Sequence, residues 1–124
     1  MISIFLAQML NNSHIHVKGS ADRYRDFIHI NDVVEAFHRC LTCEESVGMR
    51  INIATGVKTT VRELVDMLIS HQNNKITVEY SGETAGDIDG IYADVSNMKS
   101  ILGMNKFISI EEGLSGVIDW AKSK

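Results

Sequence analysis

Short runs of β-branched and aromatic residues alternate with longer segments of helical period along this chain, and that alternation confines it to an α/β arrangement rather than a bundle or a sandwich. Ile2, Phe5, Leu6, Met9 and Leu10 recur at steps of three and four, which predicts an opening helix ended by Asn11 and Asn12. Residues 14–17 and 25–30 read as strands on either side of a polar loop containing Gly19, Ser20, Ala21 and Asp22. At Asn31-Asp32 the period changes to that of a helix, with Asp32 as cap, Glu35 three residues on, and Val33, Val34, Phe37, Cys40 and Leu41 sharing one broad apolar face. Residues 50–54 form a compact strand before Thr55-Gly56. The pair Thr60/Glu63 then opens a helix with Val61, Leu64, Val65, Leu68 and Ile69 on one face. A strand at 76–80 leads into residues 81–90, whose glycines Gly82, Gly86 and Gly90 mark an ordered surface loop of the kind that holds ligands. Asp94 and Ser96 cap a short helix closed by Gly103, and Ser109/Glu112 open a last helix with Ile110, Leu114, Val117, Ile118 and Ala121 inward. The order α, β, β, α, β, α, β, α, α calls for some parallel pairing.

With 124 residues the chain fits one domain, 1–124, and one core. Its 44% hydrophobic and 23% charged residues are those of a globular protein, and no apolar run reaches membrane-spanning length, so membrane insertion and disorder are excluded. A net charge of −4 gives no pull toward nucleic acid. Two cysteines, and a Met1 that opens into Ile2 and Ser3 with no basic flank, lead to the expectation of a cytoplasmic protein.

Arg25, at a strand start beside a glycine-containing loop, suits an anion, because a guanidinium can grip two phosphate oxygens at once; the alternative is a surface arginine paired with Asp22 or Asp26. Asp87 either accepts hydrogen bonds from sugar hydroxyls or is an ordinary turn residue. Cys40 and Cys43 spell C-x-x-C at a helix end with only His38 nearby, which reads as buried, inert thiols rather than a zinc or redox site. His14 and His16 alternate on a strand with no carboxylate or cysteine placed to share a metal, so no metal is expected. There is no G-x-S-x-G elbow, no G-x-G-x-x-G turn and no Walker loop.

The run Arg25-Asp26-Phe27-Ile28-His29-Ile30-Asn31-Asp32-Val33-Val34 closely resembles the C-terminal part of extended short-chain dehydrogenase/reductases, the NAD-dependent epimerase/dehydratase family typified by UDP-glucose 4-epimerase. Met1-Ile2-Ser3-Ile4-Phe5 is similar to the family's preceding helix, and Ile51-Asn52-Ile53-Ala54-Thr55-Gly56 to its following strand and turn. Gly86-Asp87 through Tyr92-Ala93-Asp94-Val95-Ser96 resembles a late nucleotide-contacting loop, and Leu102-Gly103 and Ser109 to Leu114, down to Trp120, the family's ending. The likeness covers nearly the whole chain in the family's order.

The resemblance implies the C-terminal, substrate-binding portion of an α/β enzyme without its N-terminal Rossmann half. In the family that half carries the NAD-binding glycine turn, the catalytic Ser/Thr and a Tyr-x-x-x-Lys pair. Here the residues four after Tyr24, Tyr80 and Tyr92 are Ile28, Thr84 and Ser96, so this chain contains no catalytic residue and binds no cofactor by itself, NAD belonging to the parent enzyme. By resemblance Arg25 holds the diphosphate of a UDP-sugar or related nucleotide sugar, Asp87 its ribose or nucleoside end, and backbone near His16 and Lys18 meets the base. Thr84 stands where many family members have a second phosphate-gripping arginine, and its hydroxyl contributes no charge. The parent reaction is then a nucleotide-sugar epimerisation or dehydration. The alternative is a standalone, noncatalytic nucleotide-sugar-binding or dimerisation module. Either way, faces meant for the Rossmann half are bare, and self-association or a rearranged fold is expected.

Overall fold

A computed structural model describes residues 1–82, 86 and 88–123. Helix α1 spans Ile2–Asn12 and turns at once into strand β1, His14–Lys18, because Ser13 adopts a left-handed conformation (φ 50°) and returns its N–H to the Met9 carbonyl. β1 pairs in parallel with β4, Thr77–Ser81, in the register His14 to Thr77. A second, smaller sheet places β2, Tyr24–Arg25, between β3, Thr59–Thr60, which runs antiparallel to it, and β5, Gly90–Ile91, which runs parallel. The remaining helices are α2 (Ile30–Thr42), α3 (Val61–Ser70), α4 (Ser96–Leu102) and α5 (Ile110–Lys122).

The capped helices follow from local chemistry. Thr60 and Glu63 form a reciprocal capping box on α3, each side chain satisfying the other's backbone N–H, and the Ser109 hydroxyl accepts the Glu112 N–H at the start of α5. Asp94 takes the Ser96 N–H and hydroxyl just ahead of α4, which Gly103 ends in a left-handed conformation (φ 64°).

Two apolar clusters result where the chain length suggested one. The larger joins Phe5, Leu6 and Met9 of α1, Ile15 and Val17 of β1, Val61, Leu64, Val65 and Leu68 of α3, and Leu114 and Ile118 of α5. The smaller, between α2 and α4, holds Ala36, Ala54, Val95, Met98, Leu102 and Met104.

Five expectations are corrected. The strand expected over residues 25–30 keeps only its first residue in β2, since Asp26 turns its carboxylate onto other segments and the chain leaves the ladder. His29, not Asp32, caps α2, accepting the Asn31 N–H on its ring; Asp32 is buried and accepts the Ile108 N–H at 3.0 Å. The apolar face of α2 is turned outward, with Val34 60%, Phe37 67% and Leu41 85% exposed, because the helix seats itself on α4 through the small Ala36. Residues 50–54 join no strand among the described residues. Instead, the Asn97 amide donates to the Arg50 carbonyl and the Asn52 amide to that of Asp94. On α5, Val117 is also exposed rather than inward.

Leu64 is fully buried where α1, β1, α3 and α5 meet. Leu64→Ala is expected to destabilise the fold by about 2–5 kcal/mol, read as a lowered urea midpoint by circular dichroism.

Candidate functional site

His16 and Lys18 lie in β1 and Arg25 in β2, in adjoining stretches of chain. In a parallel ladder a residue's N–H and C=O point to the same side, and successive residues alternate. Ser13 and Gly19 bond β4, through Thr77 N–H to Ser13 O (3.1 Å) and Gly19 N–H to Ser81 O (3.3 Å), so the backbone groups of His16 and Lys18 point off the opposite edge. Two contacts bear this out: the His16 N–H donates to Gln8 Oε1 at 3.0 Å, and the Lys18 carbonyl accepts the Arg23 guanidinium. The His16 carbonyl and Lys18 N–H therefore form an acceptor and donor pair on one edge, suited to the edge of a planar base. Arg23 also donates to the Ser20 carbonyl, which holds the turn from β1 to β2.

Arg25 is half-buried, and its Nη1 donates to the carbonyls of Tyr24 (2.8 Å) and Ile88 (3.3 Å), which hold the guanidinium beside the end of the 81–90 segment. Thr84 and Asp87 lie outside the described residues.

Asp26 is a functional neighbour that sequence reasoning missed. Its Oδ1 accepts the Thr55 N–H (2.9 Å) and hydroxyl (2.6 Å), and its Oδ2 the N–H groups of Gly56 (2.9 Å) and Ala93 (3.3 Å). Burial pushes this carboxyl up, but the Thr55 hydroxyl and the three backbone donors together outweigh it and hold it below the ordinary 3.8. The Arg-Asp dipeptide was the only available signal.

The second missed feature is a cation over two rings. Lys58 Nζ stands 4.8 Å from the ring centre of Tyr24 and 4.3 Å from that of Tyr92, the rings meeting edge to face. Arg62 likewise covers Tyr80 at 5.1 Å. Burial raises the Tyr80 phenol, with Arg62 opposing and Asp66 adding to the rise.

The histidines of β1 reach across to β4. His16 Nε2 meets the Ser81 hydroxyl at 2.7 Å, and His14 meets the Thr77 hydroxyl, with Glu79 at 3.9 Å, so a carboxylate does stand near His14. Among the described residues no group of three His, Cys, Asp or Glu side chains converges on a metal position. Cys40 and Cys43 are half-buried rather than buried. Burial raises the Cys43 thiol, which contacts Glu45, and that keeps it out of the reactive thiolate form. A cavity of about 680 Å³ between α1 and α5 is lined chiefly by apolar residues such as Leu6, Leu10, Phe27 and Trp120 and by none of the predicted site residues. Among the described residues no helix is long and apolar enough to cross a membrane.

Residues 1–117 match the family model described as GDP-mannose 4,6 dehydratase. The chain belongs to that family, within the NAD-dependent epimerases and dehydratases of nucleotide sugars. It is 31% identical over 123 residues to a putative UDP-glucose 4-epimerase of Methanocaldococcus jannaschii, covering 99% of this chain and 39% of the relative. Among solved structures, it superposes with TM-score 0.85 on a UDP-N-acetylglucosamine 4-epimerase from Methanobrevibacter ruminantium M1 in complex with UDP-N-acetylmuramic acid, at 26% identity over 99% of this chain and 39% of that one. MoeE5 in complex with UDP-glucose and NAD superposes with TM-score 0.79 at 30% identity, over 98% of this chain and 41% of that one. The chain thus spans about two fifths of the length of the relatives it matches, and its α/β fold is that of their C-terminal portion.

Because the folded Asp26 carboxyl titrates below its unfolded value, its contribution is present above about pH 4 and is lost as pH falls through the folded value. Asp26→Asn is expected to lower stability at pH 7 and to flatten the acid limb of stability against pH, so that parent and variant converge in acid. Urea midpoints measured from pH 7 to pH 2 test this.

Proposed function

We propose that this chain is the nucleotide-sugar-holding portion of an NAD-dependent sugar-nucleotide epimerase or dehydratase, closest in kind to a UDP-glucose 4-epimerase, and that it does no chemistry alone. The observation that carries the reading is the outward-facing backbone edge of His16 and Lys18, followed in β2 by an Arg25 guanidinium held on two carbonyls, within a chain of this family. In this reading the His16 carbonyl and Lys18 N–H meet the base, Arg25 grips the diphosphate and Asp87 takes the ribose hydroxyls. Thr84 adds a neutral hydrogen bond to the phosphates. NAD and the Tyr-x-x-x-Lys pair reside in a Rossmann half supplied by the parent enzyme. Contacts to the remote nucleotide then fix the sugar against that half's reacting groups, which is how distant binding energy accelerates a chemical step. The relatives named above as complexes hold UDP-sugars, and one of them NAD, which supports the ligand class.

The outward stripe Ile30, Val34, Phe37 and Leu41 of α2, with Val47 and Met49 beside it, is the surface we assign to that half. The stripe also favours the second reading, a dimerisation module, since without a partner half it has only other copies to cover it.

Arg25→Ala is expected to weaken UDP-glucose binding about five- to tenfold in calorimetry, the loss of one charge-assisted contact; unchanged affinity would remove Arg25 from the site. Phe37→Asp with Leu41→Asp is expected to shift the chain from self-associated species toward monomer in light scattering. A parent chain that stays monomeric at high concentration would overturn the self-association.

A further inference from the structure

The nucleotide-sugar reading leaves unexplained why a lysine and two tyrosines gather beside β2. Tyr24 pairs with Gly90 across the β2–β5 ladder and donates its N–H to the Asp89 carbonyl at 3.0 Å. Its ring lies directly on Gly90: a Cβ there would fall 2.3 Å from Cζ and 2.4 Å from both Cε atoms, so only glycine admits the ring. Tyr92 meets the same ring edge to face, centres 6.3 Å apart, and Lys58 from the segment before β3 lies over both. Three separate stretches of chain are clasped at one face of the small sheet.

Side chains alternate along a strand, so Arg25 leaves β2 on the opposite face from Tyr24. Its Nη1 donates to two carbonyls, that of Tyr24 itself and that of Ile88, two residues before the Gly90 under the ring. The clasp thus fixes the strand pairing that brings the Ile88 carbonyl to the guanidinium, without touching the guanidinium. We propose that Lys58 and Tyr92, closing over Tyr24 on Gly90, are positioning residues that hold the Arg25 guanidinium on the Ile88 carbonyl, ready for the phosphates of a nucleoside diphosphate. The inference rests on the nucleotide-sugar reading and adds to it the residues that set the geometry of its phosphate contact. Cation and ring attract whether or not a ligand is present, so the arrangement is made in advance and costs nothing at the moment of binding.

The test compares UDP with uridine, which lacks the phosphates, by chemical-shift titration of the 124-residue chain and its variants. Lys58→Met removes the cation at equal length, and Tyr92→Leu removes the ring with no change of charge. Both are expected to weaken UDP about two- to fivefold and to leave uridine unchanged. Lys58→Arg and Tyr92→Phe, which preserve the cation and the ring, are expected to bind UDP as the parent does. Equal UDP affinity in Lys58→Met and Tyr92→Leu overturns the proposal, as does a parallel loss of UDP and uridine, the mark of a merely structural role. A parent chain that binds neither UDP nor uridine instead overturns the nucleotide-sugar reading on which the proposal stands.

Discussion

The carboxylate of Asp26 joins the two halves of this fold. Its donors, Thr55, Gly56 and Ala93, adjoin Ala54 and Val95 of the smaller cluster, while the next residue, Phe27, packs on the larger one. A carboxylate taken partly out of water is unfavourable unless donors replace the solvent, and here four do. The same contacts draw the chain out of its ladder after Arg25, so the length of β2 and the entry into α2 both depend on them.

The candidate site is built on the anchored segment itself. Arg25 immediately precedes Asp26, and the turn from β1 to β2 is closed by Arg23 on the Ser20 and Lys18 carbonyls. An arginine fixed beside a structural anchor has little freedom left to lose, so the proposed phosphate contact would be made by a group already held in place.

What was legible in the sequence was local. The α1, α3 and α5 periods, the Thr60/Glu63 box and the β1 and β4 runs depend on neighbours within a few residues, and each formed close to where the pattern put it. The misreadings are nonlocal. Residues 27–30 and 50–54 have strand composition, but a strand needs a partner, and among the described residues they have none. The face of α2 was visible as a stripe, but which way it turns depends on what packs against the helix, and the smaller cluster, with Met98 and Leu102 of α4, takes the side of Ala36. At the site, Arg25, His16 and Lys18 were reached through family likeness. The clasp of Tyr24, Lys58 and Tyr92 was not, since segments far apart in sequence leave no periodic trace.

The smaller cluster differs from the larger in kind as well as size. Two alanines, a valine, a leucine and two methionines make it up, and methionine's unbranched thioether adapts to many shapes where the branched side chains of the larger cluster hold one. The layer of α2 and α4, which carries the outward stripe, is therefore built on a core richer in side chains that can repack. A surface mounted on adaptable side chains can adjust to what covers it, while the edge of His16 and Lys18 is carried by β1, whose Ile15 and Val17 are packed into the larger cluster.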